Sequence, residues 1–398
     1  MATREAGLTL LGKIAVVAIL AGCAFGAWYF FAKGSPGGAS APSGAVPADA
    51  SARGDYDVQI GIAYGTEKQR WLQSAVEQFA QTPAGRRVRI NLIPMGSIEA
   101  AQAIVRGDER IHAWTPASSV YKSSFAAEWT LKQIKPPFLR EETLALTPMV
   151  FVIWDERYQA FARKYQALTF RTIGQALDET TGWSGIAGHS EWGLFKFGHT
   201  HPNQSNSGLM TLVLMAFDYH RKCRGLEMKD ILDAGFQDWM RNIERGVTGL
   251  SNSTGNMMRD MVLRGPSSFD ALFVYESVVV DYLKNAEGRW GKLRIVYPDL
   301  NIWNDNPFYV LSAPWSNEDQ RAAAGKFLDF LMTDDVQKQS LAHGFRPGNA
   351  AVSIKTADSP FVQYGSFGLR VDLTTSCEPP GAAVIANLLE SWQRASTR

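Results

Sequence analysis

The sequence is poor in cysteine and histidine and carries almost no net charge. Its 398 residues include three Cys and six His, and 40 basic residues balance 39 acidic ones for a formal charge of +1. Three widely separated cysteines do not form a disulfide scaffold or a zinc module. A chain without a basic excess lacks the charge typical of a dedicated nucleic-acid-binding protein. The sequence therefore predicts no nucleic-acid partner.

The common motifs of catalytic sites are also missing. The chain contains no H-E-x-x-H, C-x-x-C or G-x-G-x-x-G. Gly182–Ile186 (GWSGI) departs from the G-x-S-x-G elbow at its last position, and Gly7–Ile14 (GLTLLGKI) lacks the Ser or Thr of a P-loop. These absences favour a protein that is not an enzyme and needs no cofactor.

His199 and His201 are the one pair that resembles a metal site. Residues i and i+2 of a strand share a face, so both imidazoles can reach one ion, with His189 or Glu191 as a third ligand. Two histidines make an incomplete site. We therefore prefer the interpretation that they order the following loop through hydrogen bonds, and keep a metal-dependent enzyme as an alternative.

The N-terminal segment holds an uncharged apolar run, Ile14–Ala32 (IAVVAILAGCAFGAWYFFA). At about 1.5 Å per helical residue this run spans roughly the 30 Å hydrocarbon core of a membrane. The basic residues before it predict that residues 1–13 are cytoplasmic and the rest is outside. Leu20–Cys23 (LAGC) resembles a lipobox, which makes lipidation of Cys23 an alternative to an uncleaved anchor, beside a cleaved signal peptide. With either anchor the body is held at the outer face of the membrane.

A tether and a folded body come after this run. Lys33–Gly54 is dominated by Gly, Pro, Ala and Ser without an apolar period, which predicts a flexible linker. The chain as a whole is 45% hydrophobic with 12 Trp, enough for a substantial core. Tyr56–Ala63 alternates like a strand, Glu67–Thr82 has helical apolar spacing, and Arg87–Ile93 alternates again. This order predicts an α/β fold with a mostly parallel sheet.

Two later apolar runs, Leu144–Trp154 and Trp303–Trp315, predict strands that pass between lobes. The predicted architecture is therefore two α/β lobes with a hinge and a central cleft. The first lobe comprises residues 55–147 plus 308–398, and the second comprises residues 148–307.

Three stretches of the body resemble a known family. Ala323–Asn349 contains a KFLDFL helix, a D-x-x-Q-like helix and a G-F-R-P turn. It is similar to a recurring segment of bacterial extracellular solute-binding proteins of the type II periplasmic binding class. The resemblance extends to Trp114–Tyr121 (WTPASSVY) and Phe197–Phe217 (FGHTHPNQSNSGLMTLVLMAF). The last stretch also resembles solute-binding-like domains found beside von Willebrand type A modules. Because ligands vary widely within this class, the resemblance implies the fold and not the ligand.

Candidate binding residues follow strands and open helices. Ligands of such sheets bind beyond the carboxyl ends of the strands. Asn203–Gly208 (NQSNSG) offers good N-cap residues and free backbone N–H groups before an apolar helix. The alternative for each loop is an ordinary helix cap, a core aromatic residue or a solvated strand end. The predicted ligand-binding residues are Gly65, Thr66, Glu67, Trp114, Thr115, Ser118, Ser119, Ser205, Asn206, Ser207, Gly208, Tyr275 and Glu276.

The remaining cysteines, Cys223 and Cys377, pair in an oxidising compartment or stay free, and the sequence leaves this open. Together these features predict a membrane-tethered, extracytoplasmic solute-binding protein. Its lobes close on a small polar or anionic ligand and present it to a membrane permease or a sensor. An interaction module that has kept the fold without the ligand is the main alternative.

Overall fold

The computed structural model describes residues 56–133, 135–286, 288–373 and 375–396. The predicted cytoplasmic segment, the anchor at 14–32 with Cys23, and the tether at 33–54 lie outside the described residues. Among the helices of the described part, none is long and apolar enough to cross a membrane.

The strands form two sheets. Their bounds are β1 Val58–Tyr64, β2 Val88–Pro94, β3 Ala113–Thr115, β4 Phe138–Thr143, β5 Ala145–Trp154, β6 Phe197–Thr200, β7 Val247–Ser251, β8 Ala271–Tyr275, β9 Leu293–Val296, β10 Trp303–Asn304, β11 Pro307–Leu311 and β12 Arg346–Pro347. The first sheet has the order β2-β1-β3-β11-β4, and the second has β10-β5-β8-β6-β7 with β9 and β12 also paired to β5. The elements packed around each sheet are called the first and the second lobe below.

Helices connect and cover the strands. Their bounds are α1 Gln69–Phe79, α2 Ser97–Arg106, α3 Lys122–Thr130, α4 Asp155–Tyr165, α5 Phe170–Leu177, α6 Trp183–Ala187, α7 Asn206–His220, α8 Met228–Ile231, α9 Ala234–Gly246, α10 Thr254–Arg264, α11 Glu276–Ala286, α12 Glu318–Leu331, α13 Asp334–Ala342, α14 Pro360–Gln363 and α15 Ala382–Ser396. Short 3₁₀ turns lie at Thr66–Lys68, Ser119–Tyr121, Ser190–Trp192, Gly265–Ser267 and Gly365–Phe367. The predicted α/β fold with two sheets is confirmed.

The sheets are less parallel than the strand–helix order predicts. β1 runs parallel to β2 and β3, and β6 runs parallel to β7 and β8. The strands that enter or leave a lobe pair antiparallel instead, as β11 does with β3 and β4 and β5 does with β8. A crossover helix returns the chain to the start of the sheet, so that the next strand runs parallel. A strand that arrives from the other lobe has no such crossover, and here it pairs antiparallel.

Each lobe has an apolar core that reflects the periodicity of its helices. In the first lobe, Trp71, Leu72 and Phe79 of α1 are buried, and the Phe79 ring lies 5.2 Å from that of Phe327 on α12. In the second lobe, α7 is buried from Asn206 to Phe217, and its last turn is partly exposed. A helix that is apolar on all sides lies inside a domain, and α7 accordingly forms the centre of this lobe.

The chain passes between the lobes at three places. β4 leads into β5 through Leu144, and β10 leads into β11 through Asp305 and Asn306. The third passage follows α13, where β12 pairs antiparallel with β5. Gly344 lies at this passage with φ of +75°, and a Cβ there would approach Val280 to 2.5 Å, so only glycine fits.

After the third passage, the C-terminal segment packs on the second lobe. The sequence analysis predicted that all of residues 308–398 belong to the first lobe. α15 packs against α7, α8 and α9, and Trp392 Nε1 donates to Glu244 Oε2 at 2.6 Å. The sequence of α15 shows an apolar stripe and not which sheet that stripe covers. We propose residues 56–143 and 307–343 as the first lobe and the rest of the described chain as the second.

Glu276 and Arg346 form a buried ion pair that fastens this segment. Arg346 Nη2 donates to Glu276 Oε2 at 2.8 Å and to the Arg370 carbonyl at 2.6 Å. Tyr297 also donates to the Glu276 carboxylate. Glu276 was predicted to bind the ligand, but it is fully buried. Its carboxylate instead holds β12 and the C-terminal segment to α11.

A disulfide adds a second attachment. Cys223, after α7, is bonded to Cys377 in the C-terminal segment. Both cysteines belong to the second lobe, so the bond does not link the lobes and does not oppose a hinge motion.

The buried pair predicts a large loss of stability when one partner is removed. Arg346→Met leaves the Glu276 carboxylate buried without its cation, and we expect a loss of about 3–5 kcal/mol in urea unfolding. The control is Arg110→Met, because Arg110 pairs with Asp108 at an exposed site and such pairs contribute little. Equal stability of the two variants would contradict this account of the pair.

Candidate functional site

A cleft of about 870 Å³ lies between the two lobes. Its first-lobe side is formed by the turn at Thr66–Lys68, by α1 and by the start of α2. Its second-lobe side is formed by the loop before α7 and by α10 and α11. The lining residues include Thr66, Glu67, Arg70, Gly96, Glu99, Gln204, Asn252, Ser253, Asn256, Arg259, Asp281 and Tyr282.

The cleft narrows inward to a small cavity, called the inner cavity below. Its volume is about 30 Å³. Residues from both lobes line it, namely Gly65, Thr66, Glu67, Met95, Gly96, Ser97, Ala117, Ser205, Asn206, Asn252, Thr254 and Tyr275. Six predicted ligand-binding residues are therefore brought together here, from the loop after β1, the end of β8 and the start of α7.

The two sides of the cleft touch at several points. Thr66 Oγ1 lies 3.2 Å from Ser253 Oγ, and Arg70 Nη1 lies 3.1 Å from Asp281 Oδ2. A Cβ built on Gly96 would approach the Gln204 carbonyl oxygen to 2.5 Å, so glycine allows the lobes to meet at this point.

A buried ammonium group lies directly behind the cleft. Lys68 is fully buried, and its Nζ donates to Glu67 Oε1 at 2.5 Å, to Asn306 Oδ1 at 2.9 Å and to the Pro116 carbonyl at 3.3 Å. Burial lowers the pKa of Lys68, and the Glu67 carboxylate acts in the opposite direction. Because Asn306 also donates to the Ala145 carbonyl, this lysine is joined to two of the three passages between the lobes.

Asn206 links the start of α7 to the hinge. Its Nδ2 donates to Tyr275 Oη at 2.9 Å and to Asn304 Oδ1 at 2.8 Å. Asn304 in turn donates to the Thr147 carbonyl in β5. The polar groups at the bottom of the cleft therefore form one network with the strands that connect the lobes.

The tyrosines near Glu67 are held in their protonated form. Burial, with the Glu67 carboxylate adding to it, raises the pKa of Tyr64 to about 12. The same two causes raise the pKa values of Tyr121 and Tyr275. Of these three residues, Tyr275 lines the inner cavity, and its hydroxyl is neutral at physiological pH.

Two α/β lobes with a cleft between them and chain passages that connect them are the architecture that the sequence resemblance implies. A family model described as bacterial extracellular solute-binding protein matches residues 60–346, from β1 to β12. The chain belongs to this family. The resemblance seen in the sequence is thereby confirmed, and membership implies that this solute-binding protein works outside the cytoplasm.

Solved structures similar to this solute-binding protein bind chemically diverse ligands. The sulfate-binding protein SubI from Mycobacterium tuberculosis is 16% identical over 83% of this chain and 96% of its own, with a TM-score of 0.53. The periplasmic binding protein AfuA from Actinobacillus pleuropneumoniae, with fructose-6-phosphate bound, is 12% identical over 86% and 99%, with a TM-score of 0.57. The ferric binding protein from Campylobacter jejuni is 12% identical over 85% and 97%, with a TM-score of 0.53. Such identities show the shared fold alone, and no curated protein sequence matches the chain.

Several predicted ligand-binding residues of the solute-binding protein lie in its core. Trp114 is fully buried, with its rings 5.0 Å from Phe125 and 5.4 Å from Tyr309. Thr115 beside it is also fully buried. Their β3 strand is central in the first sheet, so its side chains face helices on both sides and not the cleft.

Other predicted residues act as caps or in packing. Ser118 accepts from Val120 N, and Ser119 N donates to Asp305 Oδ1 at 2.7 Å. Ser207 is fully buried, with its Oγ 2.6 Å from Thr254 Oγ1. Gly208 packs on the Thr200 carbonyl, where a Cβ would approach to 2.2 Å. These residues support the cleft without lining it.

The second-lobe rim of the cleft is absent from the residues predicted by sequence. Asn252, Ser253, Asn256 and Arg259 line it from the start of α10. The stretch SNSTGN at 251–256 repeats the small and polar character of NQSNSG, and this likeness was the available signal. Arg70, Asp281 and Tyr282 are helical residues whose orientation depends on how α1 and α11 pack.

His199 and His201 of the solute-binding protein are engaged in hydrogen bonds and packing. His199 Nε2 lies 3.0 Å from Glu244 Oε1, and its Nδ1 lies 2.8 Å from the Thr200 carbonyl. The His201 ring packs on Trp392 with centroids 4.8 Å apart. Within the described residues, no group of three or more His, Cys, Asp or Glu side chains is arranged to hold a metal ion.

The buried His199–Glu244 pair predicts a pH dependence of stability. Burial alone would lower the pKa of His199, but the Glu244 carboxylate outweighs it, and the pKa is raised above its ordinary value of 6.5. The stability that the pair contributes is therefore complete below pH 6.5, and it is lost as the pH rises through the folded-state pKa of His199.

We expect the stability difference between the unmodified protein and His199→Gln in urea unfolding to be largest below pH 6.5 and to shrink as the pH is raised above it. His189→Gln is the control, because His189 pairs with Glu191 at the surface. A His199→Gln difference that stays constant over this range would show that the pair does not titrate as described.

Proposed function

We propose that this protein binds a small polar solute in the interlobe cleft and delivers it to a membrane transporter or a sensor. The observation that carries the proposal is the cleft itself, which is of ligand size and is lined by polar side chains from both lobes. Membership of the solute-binding family supports it. A binding role requires no bond to be made or broken, in keeping with the missing catalytic motifs.

The charges of the lining favour a polar ligand over a strongly anionic one. Glu67, Glu99 and Asp281 are acidic, and Arg70 and Arg259 are basic. Because Arg70 is already paired with Asp281, the cleft presents no surplus of free positive charge at its inner end. An anionic ligand, which the sequence also allowed, would have to approach the Glu67 carboxylate.

Closure of the lobes around the solute is the proposed working motion. The passages between the lobes are single strands and short turns, which absorb rotation more readily than packed helices do. Lys68 and Asn306 lie at their centre. A solute that contacts both sides stabilises the closed form by the difference in its affinity for the two forms.

The predicted membrane attachment remains part of the proposal. An anchor at residues 14–32, or a lipid on Cys23, would hold the body beside its transporter on the outer side of the membrane. The tether at 33–54 would then set how far from the membrane the cleft works.

Ligand binding predicts a rise in melting temperature. We expect residues 55–398 to be stabilised by at least one member of a panel of sugars, amino acids, amines, oxyanions and metal ions in a thermal-shift assay. Stabilisation by about 2.7 kcal/mol is expected at a hundredfold excess over Kd. A panel without any effect at millimolar concentration would count against the binding function and favour an interaction module.

Gly96 provides a test of lobe closure. We expect Gly96→Ala to push against the Gln204 carbonyl and disfavour the closed form, because its φ of −59° tolerates alanine locally while its Cβ would clash across the cleft. The matched control is Gly255→Ala in the same cleft, where a Cβ meets nothing within 4 Å.

Small-angle scattering should show a larger radius of gyration for Gly96→Ala than for Gly255→Ala. Solute affinity should fall roughly five- to 150-fold in Gly96→Ala alone, the equivalent of about 1–3 kcal/mol of overpacking. Identical scattering and affinity in both variants would contradict closure at this point.

A further inference from the structure

The inner cavity is bordered by the Glu67 carboxylate, of which only one oxygen accepts a hydrogen bond from the part of the chain that the structure describes. The Glu67 side chain is 6% exposed and accepts from Lys68 through Oε1. Its other oxygen has no hydrogen-bond donor among the described residues, although Glu67 lines both the cleft and the inner cavity. A carboxylate has room for several donors, so this oxygen is a strong free acceptor at the end of the cleft.

Asn206, which also lines this cavity, carries a second acceptor to which no described residue donates. The residue is 3% exposed, and its Nδ2 is used twice, towards Tyr275 and Asn304. Its Oδ1 is buried and has no partner within the described part of the chain. A buried acceptor without a donor is costly, which makes this oxygen a site that calls for a donor from outside.

The nearby Lys68 does not offer hydrogen-bond donors to the inner cavity. The three N–H groups of the Lys68 ammonium face three acceptors, on Glu67, Asn306 and Pro116. Lys68 is fully buried behind the turn and is not among the residues that line the cleft. The inner end therefore offers a bound group the unused Glu67 oxygen, beside the hydroxyl groups of Ser205, Thr254 and Tyr275. It offers no free N–H of Lys68.

We propose that the inner cavity is the subsite for a primary ammonium group, so that the solute is a small organic amine. This inference rests on the proposed binding function of the cleft and names its ligand class. An ammonium carries three donors and one positive charge, which match the Glu67 carboxylate and Asn206 Oδ1. The volume of about 30 Å³ suits a small group, and we expect the bulkier trimethylammonium to bind less tightly.

The main competing explanation is that Glu67 serves only as the counterion of Lys68. The two explanations predict different ligand binding once both charges are removed together. Glu67→Gln/Lys68→Met removes the pair without leaving an unpaired buried ion, an exchange that folded proteins often tolerate. A structural counterion is then no longer needed, whereas an ammonium subsite has lost its carboxylate.

The test is calorimetric titration of the soluble body with matched probes. Putrescine, spermidine and lysine are each compared with the form methylated at every amine, and sulfate serves as the anionic probe. We expect at least one primary amine to bind about tenfold or more tightly than its methylated form, with no binding of sulfate.

The variants then assign the binding to the cavity. We expect Glu67→Gln and Glu67→Gln/Lys68→Met to weaken amine binding about tenfold or more, as loss of a charged hydrogen bond does. Glu77→Gln is the control, since Glu77 is an exposed carboxylate on α1, the helix that follows the turn containing Glu67, and it lies outside the cleft. Circular dichroism and urea unfolding confirm that each variant is folded.

The outcomes separate this inference from the proposed function. Amine binding that survives in the folded double variant overturns the ammonium subsite. Binding of sulfate in this titration, or of a sugar in the thermal-shift panel, without binding of any amine also overturns it, while the solute-binding function stands. Failure of every probe class to bind contradicts both.

Discussion

The buried ammonium of Lys68 is the constraint on which the arrangement of the lobes depends. An ion taken out of water must be met by acceptors on all its donors, or the structure does not form. Here the acceptors come from the turn after β1, from the loop after β3 and from Asn306 between the lobes. One side chain therefore joins the first-lobe loops to the connecting strands, directly beneath the cleft.

The polar side chains of the strands that connect the lobes also serve to satisfy buried polar groups. Connecting strands that leave one sheet and join another expose backbone groups that neither sheet satisfies. Asn304 and Asn306 meet these groups, since their amides donate to the carbonyls of Thr147 and Ala145. Asn306 has φ of +37°, a conformation that asparagine adopts more readily than most residues. A hinge made this way is held in the closed form by directional hydrogen bonds between side-chain amides and backbone carbonyls.

The sequence predicted most of the fold and about half of the candidate site, and the two parts differ for a physical reason. Loops that follow strands and open helices reach the cleft by topology alone, which is why Thr66, Glu67, Ser205, Asn206 and Tyr275 were found. Trp114 and Glu276 have the same local signature but are buried by neighbours far away in the chain.

The sequence did not show which lobe the C-terminal segment packs on, because this also depends on contacts between residues that are distant in the chain. Its apolar stripe was visible in the sequence, but the sheet that it covers depends on one glycine-containing passage, at Gly344, and on the pairing of β12 with β5. The rim at Asn252–Asn256 shows the opposite case. Its residues are small and polar like those of NQSNSG, so the sequence did contain a signal for this part of the cleft.

The disulfide between Cys223 and Cys377 bears on how the molecule matures. The chain between the two cysteines leaves the second lobe, builds β11, α12 and α13 of the first lobe, and returns. During export, the covalent ring closes only after nearly the whole chain has emerged, with a section of the first lobe enclosed in it. A single proteolytic cut anywhere in that ring would leave the pieces joined, so a nicked molecule would keep both lobes and its complete cleft.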